Sequence, residues 1–325
     1  AGMAGFSQGG GVGLSLANWI VDGDPGFDIW AMDISRFGDY ASMAFTNARV
    51  RENYSRRFSI RYPNEELTAA RPFLTTPIYE RQKAAGAQFG ATAGLETPLW
   101  FAPEGLRDDF SWRRSTDFQY VAAECSAVRE GVGLTDISGF AKYSIYGQGA
   151  RDWLDKILAA KIPPKGRMTL APMLKEDGKV IGDFSLSNIN ESRFLIIGSG
   201  AAESYHMRWL LDHLPDDGSV DLVSRNVVLV GLSLAGPKPR SVLQACTAHD
   251  ISHGAMKFMS VREIDIGMVP AIVGRVSFTG DLGYEIWVKP EYQFNLYDQL
   301  MHAGESHGIR LFGSGAMTSL RLVQN

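Results

Sequence analysis

Apolar and polar positions along this chain follow two periods, and the changes between them mark out the elements. Residues 118–131 (FQYVAAECSAVREG) set Val121, Cys125 and Val128 on one face at helical spacing, which predicts an amphipathic helix. The next run, LTDISGFAKYSIYG, alternates with period two and predicts extended chain. Residues 149–160 and 201–214 return to the helical pattern, the second stopped by Pro215. Between them, MLKEDGKVIGDFSLSNI carries Asp177-Gly178 between two extended runs and predicts a hairpin, and RFLIIGSG predicts a further strand.

A looser second copy follows. VVLVGLSLAG predicts a strand, residues 238–245 begin a helix, VPAIVGRVSFTGDLGYEIWV predicts a hairpin turning at residues 280–283, and residues 292–302 predict a helix. The shared order of strand, helix, hairpin and helix points to an internal duplication without a residue-level repeat. Interspersed helices and hairpins favour an α+β fold over a doubly wound sheet.

Upstream, Gly9, Gly10, Gly11 and Gly13 run into a helical pattern at Leu14, Leu16, Ala17 and Ile20, with stop signals at Gly23 and Pro25. Gly11-x-Gly13-x-x-Leu16 misses a dinucleotide fingerprint twice, because its third glycine is Leu16 and no strand precedes it. Two readings stand. One is a glycine-rich turn capping a helix; the other is a helix N-terminus whose free N–H groups face a ligand's negative charge. Residues 36–96 are rich in Arg and Tyr and carry Pro63, Pro72 and Pro77, with a short helix predicted over 79–87. They are too polar for an independent core and too aromatic for a flexible linker, so they read as a packed connecting module. The division is therefore 1–35, 36–96 and 97–325, the last being a new domain.

Composition narrows the function. The 325 residues are 45% hydrophobic and 21% charged, an ordinary globular balance. With 32 Lys+Arg against 36 Asp+Glu and no basic cluster, a nucleic-acid footprint is not expected. No apolar run reaches the roughly 20 residues of a membrane span. Cys125 and Cys246 sit in apolar settings and read as buried thiols in a reducing compartment, not as a disulfide or zinc framework. The chain opens on Ala without a signal peptide and closes on SLRLVQN, a helix cut short, which reads as a piece of a longer chain.

Among candidate chemical groups, Asp183 is the most informative, since Asp is depleted in strands. Alternation places it with Ile181, Ser185 and Ser187, opposite Val180, Phe184 and Leu186. Glu285 shares a face with Trp287, opposite Tyr284, Ile286 and Val288; a carboxylate beside an aromatic can hold a planar amidine-like edge through two N–H···O bonds. Arg275 in the facing strand stands either as its ion-pair partner or as an anion contact. On pattern alone, the reading favoured for both carboxylates is a solvated strand residue. His249 and His253 have i, i+4 spacing, but with Asp250 between them and no third ligand they read as helix-surface residues, not a metal site.

The strings AVREGVGLTDISGFAKYSIYGQGA, GRMTLAPMLKEDGKVIGDFSLSNI and GRVSFTGDLGYEIWV resemble the folate-binding domain of glycine-cleavage T-protein. The upstream strings GGGVGLSLANWIVDGDPGFDIWAMDISRF, YPNEELTAARPFLTTPIYERQKAAGAQFG and PLWFAPEG resemble dimethylglycine and sarcosine dehydrogenases, which join an amine-oxidising flavin domain to a T-protein-like domain. The resemblance implies the following. Residues 1–35 are the tail of an FAD-dependent oxidoreductase domain, 36–96 its central module, and 97–325 a truncated folate-binding domain. Asp183 falls near N10 of tetrahydrofolate as the catalytic carboxylate. Glu285 holds the pterin ring, with Arg275, Tyr284 and Phe278 around it, and Gly10, Gly11 and Gly13 edge the flavin. Met317 replaces the arginine of the T-protein Gly-Ala-Arg motif, which suits the dehydrogenase branch.

The resemblance also implies an oxidoreductase acting on a small N-methylated amine, with electron-transfer flavoprotein or oxygen as acceptor, in the bacterial cytoplasm or mitochondrial matrix. Tetrahydrofolate would capture the one-carbon unit, and a cavity between the two sites would limit loss of the iminium product. FAD belongs to the intact protein and is not expected to be held by this chain alone. The alternatives are a folate-dependent aminomethyltransferase or demethylase without oxidation, and a binding module that keeps the fold without the chemistry.

Overall fold

The structure is a computed structural model describing residues 5–106 and 109–323; the outermost residues of the first and last segments lie outside it. Its first element, α1 (Gly5–Asp22), corrects the expectation of a glycine turn ahead of a helix: Gly10, Gly11 and Gly13 lie inside the helix. Their amides belong to the helix ladder instead of forming a free N-terminus. The helix does stop where the sequence signals it: Gly23 has φ +74° and its N–H closes on the Trp19 carbonyl. A methyl group added at Gly10, Gly11 or Gly13 meets nothing. Gly11→Ala should therefore stabilise α1 by about 1 kcal/mol, read as increased amide-exchange protection across residues 5–22.

The connecting module follows with α2 (Met43–Ser55), capped by Ser42, whose Oγ accepts from the Phe45 amide. Next come the short α3 (Tyr79–Ala84) and the hairpin β1 (Ala87–Thr92)–β2 (Leu95–Phe101). The hairpin straddles residue 96. Arg71 grips Glu96 through two bonds, Nε–Oε1 at 2.9 Å and Nη2–Oε2 at 2.7 Å, and a third goes from Nη2 to the Phe89 carbonyl at 2.8 Å.

Helix α4 (Asp117–Glu130) buries Val128 and packs the partly buried Val121 and Cys125 beside it, on the face its spacing predicts. The alternating run after it splits into β3 (Gly133–Asp136) and β4 (Ala141–Tyr146), which join different sheets. The break is a local turn. Asp136 Oδ1 accepts from the Ser138 amide at 2.8 Å, and the Phe140 amide returns to the Ile137 carbonyl.

From here the chain builds one unit twice. The first is β4, α5 (Ala150–Ile157), the hairpin β5 (Arg167–Leu174)–β6 (Val180–Asn190), β7 (Arg193–Gly198), α6 (Glu203–Asp212) and β8 (Asp221–Ser224). The second is β9 (Val230–Ala235), α7 (Pro239–Ala245), the hairpin β10 (Val261–Ile266)–β11 (Val269–Gly274), β12 (Gly283–Val288) and α8 (Pro290–Gly304). Spatial orders β5-β6-β7-β4 and β10-β11-β12-β9 correspond strand for strand. Strand β13 (Arg310–Leu311) and helix α9 (Ser314–Leu322) close the chain.

Each sheet buries its outer face under its own helices. Tyr143, Phe184, Leu186, Phe194 and Ile196 pack with Trp153, Leu154 and Leu210 on one side. Leu134, Leu232, Leu234, Tyr284 and Ile286 pack with Val242, Leu296 and Leu300 on the other. The inner faces meet in a smaller apolar seam of Ile137, Leu195, Ile197 and Trp287. Alternation along β6 is broken by a bulge: Met173 pairs with Gly182 but Leu174 with Val180. Ile181 is thereby buried with Phe184 and Leu186, and Val180 is exposed, the reverse of the expectation from strict period two.

Candidate functional site

The inner seam is where the two acidic candidates stand. On β12, Glu285 pairs across to Gly274 on one side and Ser233 on the other, with Trp287 two residues on along the same face. Trp287 is buried in the seam against Leu195 and Ile197 of β7. Those two residues pair directly with Ser187 and Ser185 of β6. Asp183 is the next inward-facing position beyond Ser185, and it is exposed. By alternation, Glu285 lies on the same face of β12 as Trp287, and Asp183 on the same face of β6 as Ser185 and Ser187, so each belongs to the inner face of its own sheet.

Their environments differ. Glu285 is half-buried, and the protein packed around its carboxyl pushes its pKa up to about 7 by desolvation, against the pull of a hydrogen bond from the Trp287 side chain. Among the described residues no cation pairs with it. Such a group is an acceptor short of donors. Phe278 borders the same seam, 6.0 Å from Phe140 and with the Arg321 guanidinium 4.8 Å from its ring centroid. Met317 packs into the seam, where the side chain meets apolar neighbours.

Two other predicted site residues lie elsewhere. Tyr284 is fully buried in the outer core, its hydroxyl accepting from Arg240 Nε at 3.1 Å. Alternation turns it to the side opposite Glu285. Arg275 follows Gly274, the cross-strand neighbour of Glu285, and so takes the opposite side too. It is buried there, donating Nη1 to the Met256 carbonyl at 2.7 Å. The anticipated Glu285–Arg275 ion pair is not formed. His249 and His253 sit in an irregular segment, not on a helix, so their spacing loses its meaning as one helical turn. Among the described residues no group of three His, Cys, Asp or Glu is placed to hold a metal, and no helix is long and apolar enough to cross a membrane.

The sequence reading missed Lys142. It is fully buried on the inner face of β4, with Nζ donating to the Ser138 carbonyl at 2.7 Å and lying 5.7 Å from the Trp287 ring centroid. Burial lowers its pKa to about 8, against the favourable charges of Asp136 and Glu203. Asp136, also buried, accepts from Thr76 Oγ1 at 3.0 Å, tying the connecting module to β3. A separate recess of about 250 Å³ lies nearby, lined by Thr75, Thr76, Pro77, Leu95, Ser138 and Val230 among others. Neither candidate carboxylate nor any α1 glycine lines it, so it is not the cavity expected between two sites.

Comparison with known proteins places this arrangement. The family described as GCVT N-terminal domain matches residues 78–324, and that described as FAD dependent oxidoreductase central domain matches residues 22–76. Human mitochondrial dimethylglycine dehydrogenase is 34% identical over 323 residues, covering 98% of this chain and 37% of that protein. The mouse mitochondrial pyruvate dehydrogenase phosphatase regulatory subunit is 29% identical over 334 residues, covering 99% of this chain and 38% of that protein. The chain therefore spans less than two-fifths of these relatives' length. The glycine cleavage system aminomethyltransferase T from Bartonella henselae superposes with a TM-score of 0.64 at 24% identity, over 76% of this chain and 62% of that one, and shares the fold. The repeated sheet units, the two-sheet seam and these matches together establish that the chain belongs to the GCVT N-terminal domain family, joined at its amino-terminal side to the central domain of FAD-dependent oxidoreductases.

Proposed function

We propose that this chain is the one-carbon-capturing part of a flavin-dependent dehydrogenase or oxidase of N-methylated glycines, dimethylglycine or sarcosine. In this reading tetrahydrofolate binds along the inner seam. The observation that carries it is Glu285, a desolvated carboxylate without a cationic partner among the described residues, on the inner face of the sheet that packs against the one carrying Asp183. An acceptor of this kind fits a pterin's 2-amino and N3–H edge, which offers two parallel donors.

Bound tetrahydrofolate supplies two nucleophilic nitrogens that take up a carbon at the formaldehyde level. Glu285 orients the ring, Phe278 gives it apolar surface, and Asp183 accepts the proton released at N10. FAD is a different case. The amides of Gly10, Gly11 and Gly13 are inside a helix, so α1 does not fit a flavin on its own, and no step of oxidation is assigned to these residues. The oxidoreductase central-domain match at residues 22–76 favours this reading over a transferase without oxidation. The acceptor would be electron-transfer flavoprotein or oxygen, and the compartment the mitochondrial matrix or bacterial cytoplasm.

Calorimetric titration of the full-length protein with tetrahydrofolate tests the reading. Glu285→Gln should weaken binding about 100-fold, roughly 2.7 kcal/mol, the worth of a charge-assisted two-point contact. Two N–H donors favour the ionised carboxylate, and its pKa lies near 7 in the free protein. Affinity should therefore rise as pH goes from 6 to 8 and level off above, and Glu285→Gln should abolish that slope. Absence of folate binding by the wild-type protein would overturn the proposal and favour a non-catalytic module.

A further inference from the structure

The bulge in β6 sits directly ahead of Asp183, and one buried side chain from another element braces it. His206, on α6, is 2% exposed. Its ring donates to the Ile181 backbone, the bulged residue. Its Nδ1 lies 3.1 Å from the Tyr143 hydroxyl, which is itself fully buried on β4. Phe184 meets the imidazole edge-on with centroids 4.8 Å apart. Gly182 runs so close that a Cβ there would come within 2.6 Å of Nε2. The residues at positions 181, 182 and 184 thus all rest on one imidazole, and only Asp183 between them is turned to the inner face and exposed.

Burial keeps this imidazole neutral, its pKa lowered to about 4. A neutral ring has one donor and one acceptor. With the donor committed to Ile181, Nδ1 is left to accept from Tyr143, whose hydroxyl is shared with the Glu203 carbonyl at the longer distance of 3.4 Å. Side chains whose rotamers are locked in this way are the means by which a reacting group is held in productive geometry. A bulge that re-aims a side chain is a recurrent device beside active sites.

The geometry points to His206 as a positioning residue that, held by Tyr143, fixes the β6 bulge and so aims Asp183 into the inner seam. This rests on the folate reading above. The step it serves is balanced: formaldehyde-level carbon and the two N–H groups of tetrahydrofolate give a methylene bridge between N5 and N10. The C=O and two N–H bonds break, two C–N bonds form, and one water leaves. Asp183 takes the N10 proton on its way to solvent.

The test uses the full-length enzyme turning over a methylated amine with tetrahydrofolate present. It reads the partition of product between methylenetetrahydrofolate and free formaldehyde, per folded molecule. His206→Phe keeps a buried ring but removes both hydrogen bonds. It should lower the captured fraction at least tenfold while tetrahydrofolate affinity, set by Glu285, stays within about threefold. His206→Gln, which can donate and accept once each, should restore capture to within about threefold of wild type. If His206→Phe does not fold, Tyr143→Phe carries the test and should lower capture about fivefold. Unchanged capture in the folded variant, or equal losses in His206→Phe and His206→Gln, would overturn the inference. Asp183→Asn run alongside separates the two levels: if it leaves capture intact, the folate role of Asp183 fails; if it slows capture while His206→Phe does not, only the positioning role fails.

Discussion

Asp183→Asn slows methylene capture by about 10²–10⁴-fold, the range of general acid–base contributions, and leaves tetrahydrofolate affinity within about tenfold, roughly 1.4 kcal/mol. Asn keeps the shape and the polar contacts of Asp but cannot take up a proton. Asp183 is exposed on the inner face, with its backbone paired to Pro172, so little of the fold depends on its charge. Its replacement should leave the melting temperature nearly unchanged, as for a surface substitution. The loss must therefore show in the chemical step. The measurement is single-turnover formation of methylenetetrahydrofolate in the full-length enzyme, with free formaldehyde followed in parallel. On the proposed reading Asp183 serves capture and not oxidation, so a shift of product toward formaldehyde is expected. Capture at the wild-type rate would remove Asp183 from its assigned role.

Most of the architecture was legible because it rests on local signals. The Asp177-Gly178 turn, the stop at Gly23 and the face made by Val121, Cys125 and Val128 are each determined by a few neighbouring residues. The duplication was legible only as an order of elements. The equivalent sheet orders establish it, and they depend on pairings between distant strands that no local pattern encodes. Lys142 shows the limit clearly. In AKYSIY its alternate position reads as the solvated side of a half-buried strand, yet a second sheet covers that side. Val180 and Ile181 fail for another reason: the bulge inserts one residue, and every inference of facing beyond it shifts by one. The glycines of α1 read as a turn because glycine disfavours helix interiors. The apolar spacing on either side nonetheless carries the helix through them. Resemblance puts Tyr284 and Arg275 beside the site, whereas alternation from Glu285 turns Tyr284 to the opposite side of β12.

Arg71→Ala should destabilise the chain by about 3–5 kcal/mol, because it strands a buried carboxylate. The Glu96 side chain is 3% exposed and that of Arg71 12%, so water replaces little of what is lost. The pair joins residue 71, in the segment matched to the oxidoreductase central domain, to the β1–β2 hairpin in the segment matched to the GCVT domain. It is thus one of the ties that fix the two modules against each other. The cost in the single variant comes from the uncompensated charge more than from the lost attraction. Arg71→Met with Glu96→Met should therefore recover most of the stability, short of about 1 kcal/mol for the Phe89 carbonyl left without its donor. Urea unfolding of the single and double variants measures both effects. A single-variant loss below about 1 kcal/mol would mean that the pair is screened by solvent and adds little to the tie between the modules.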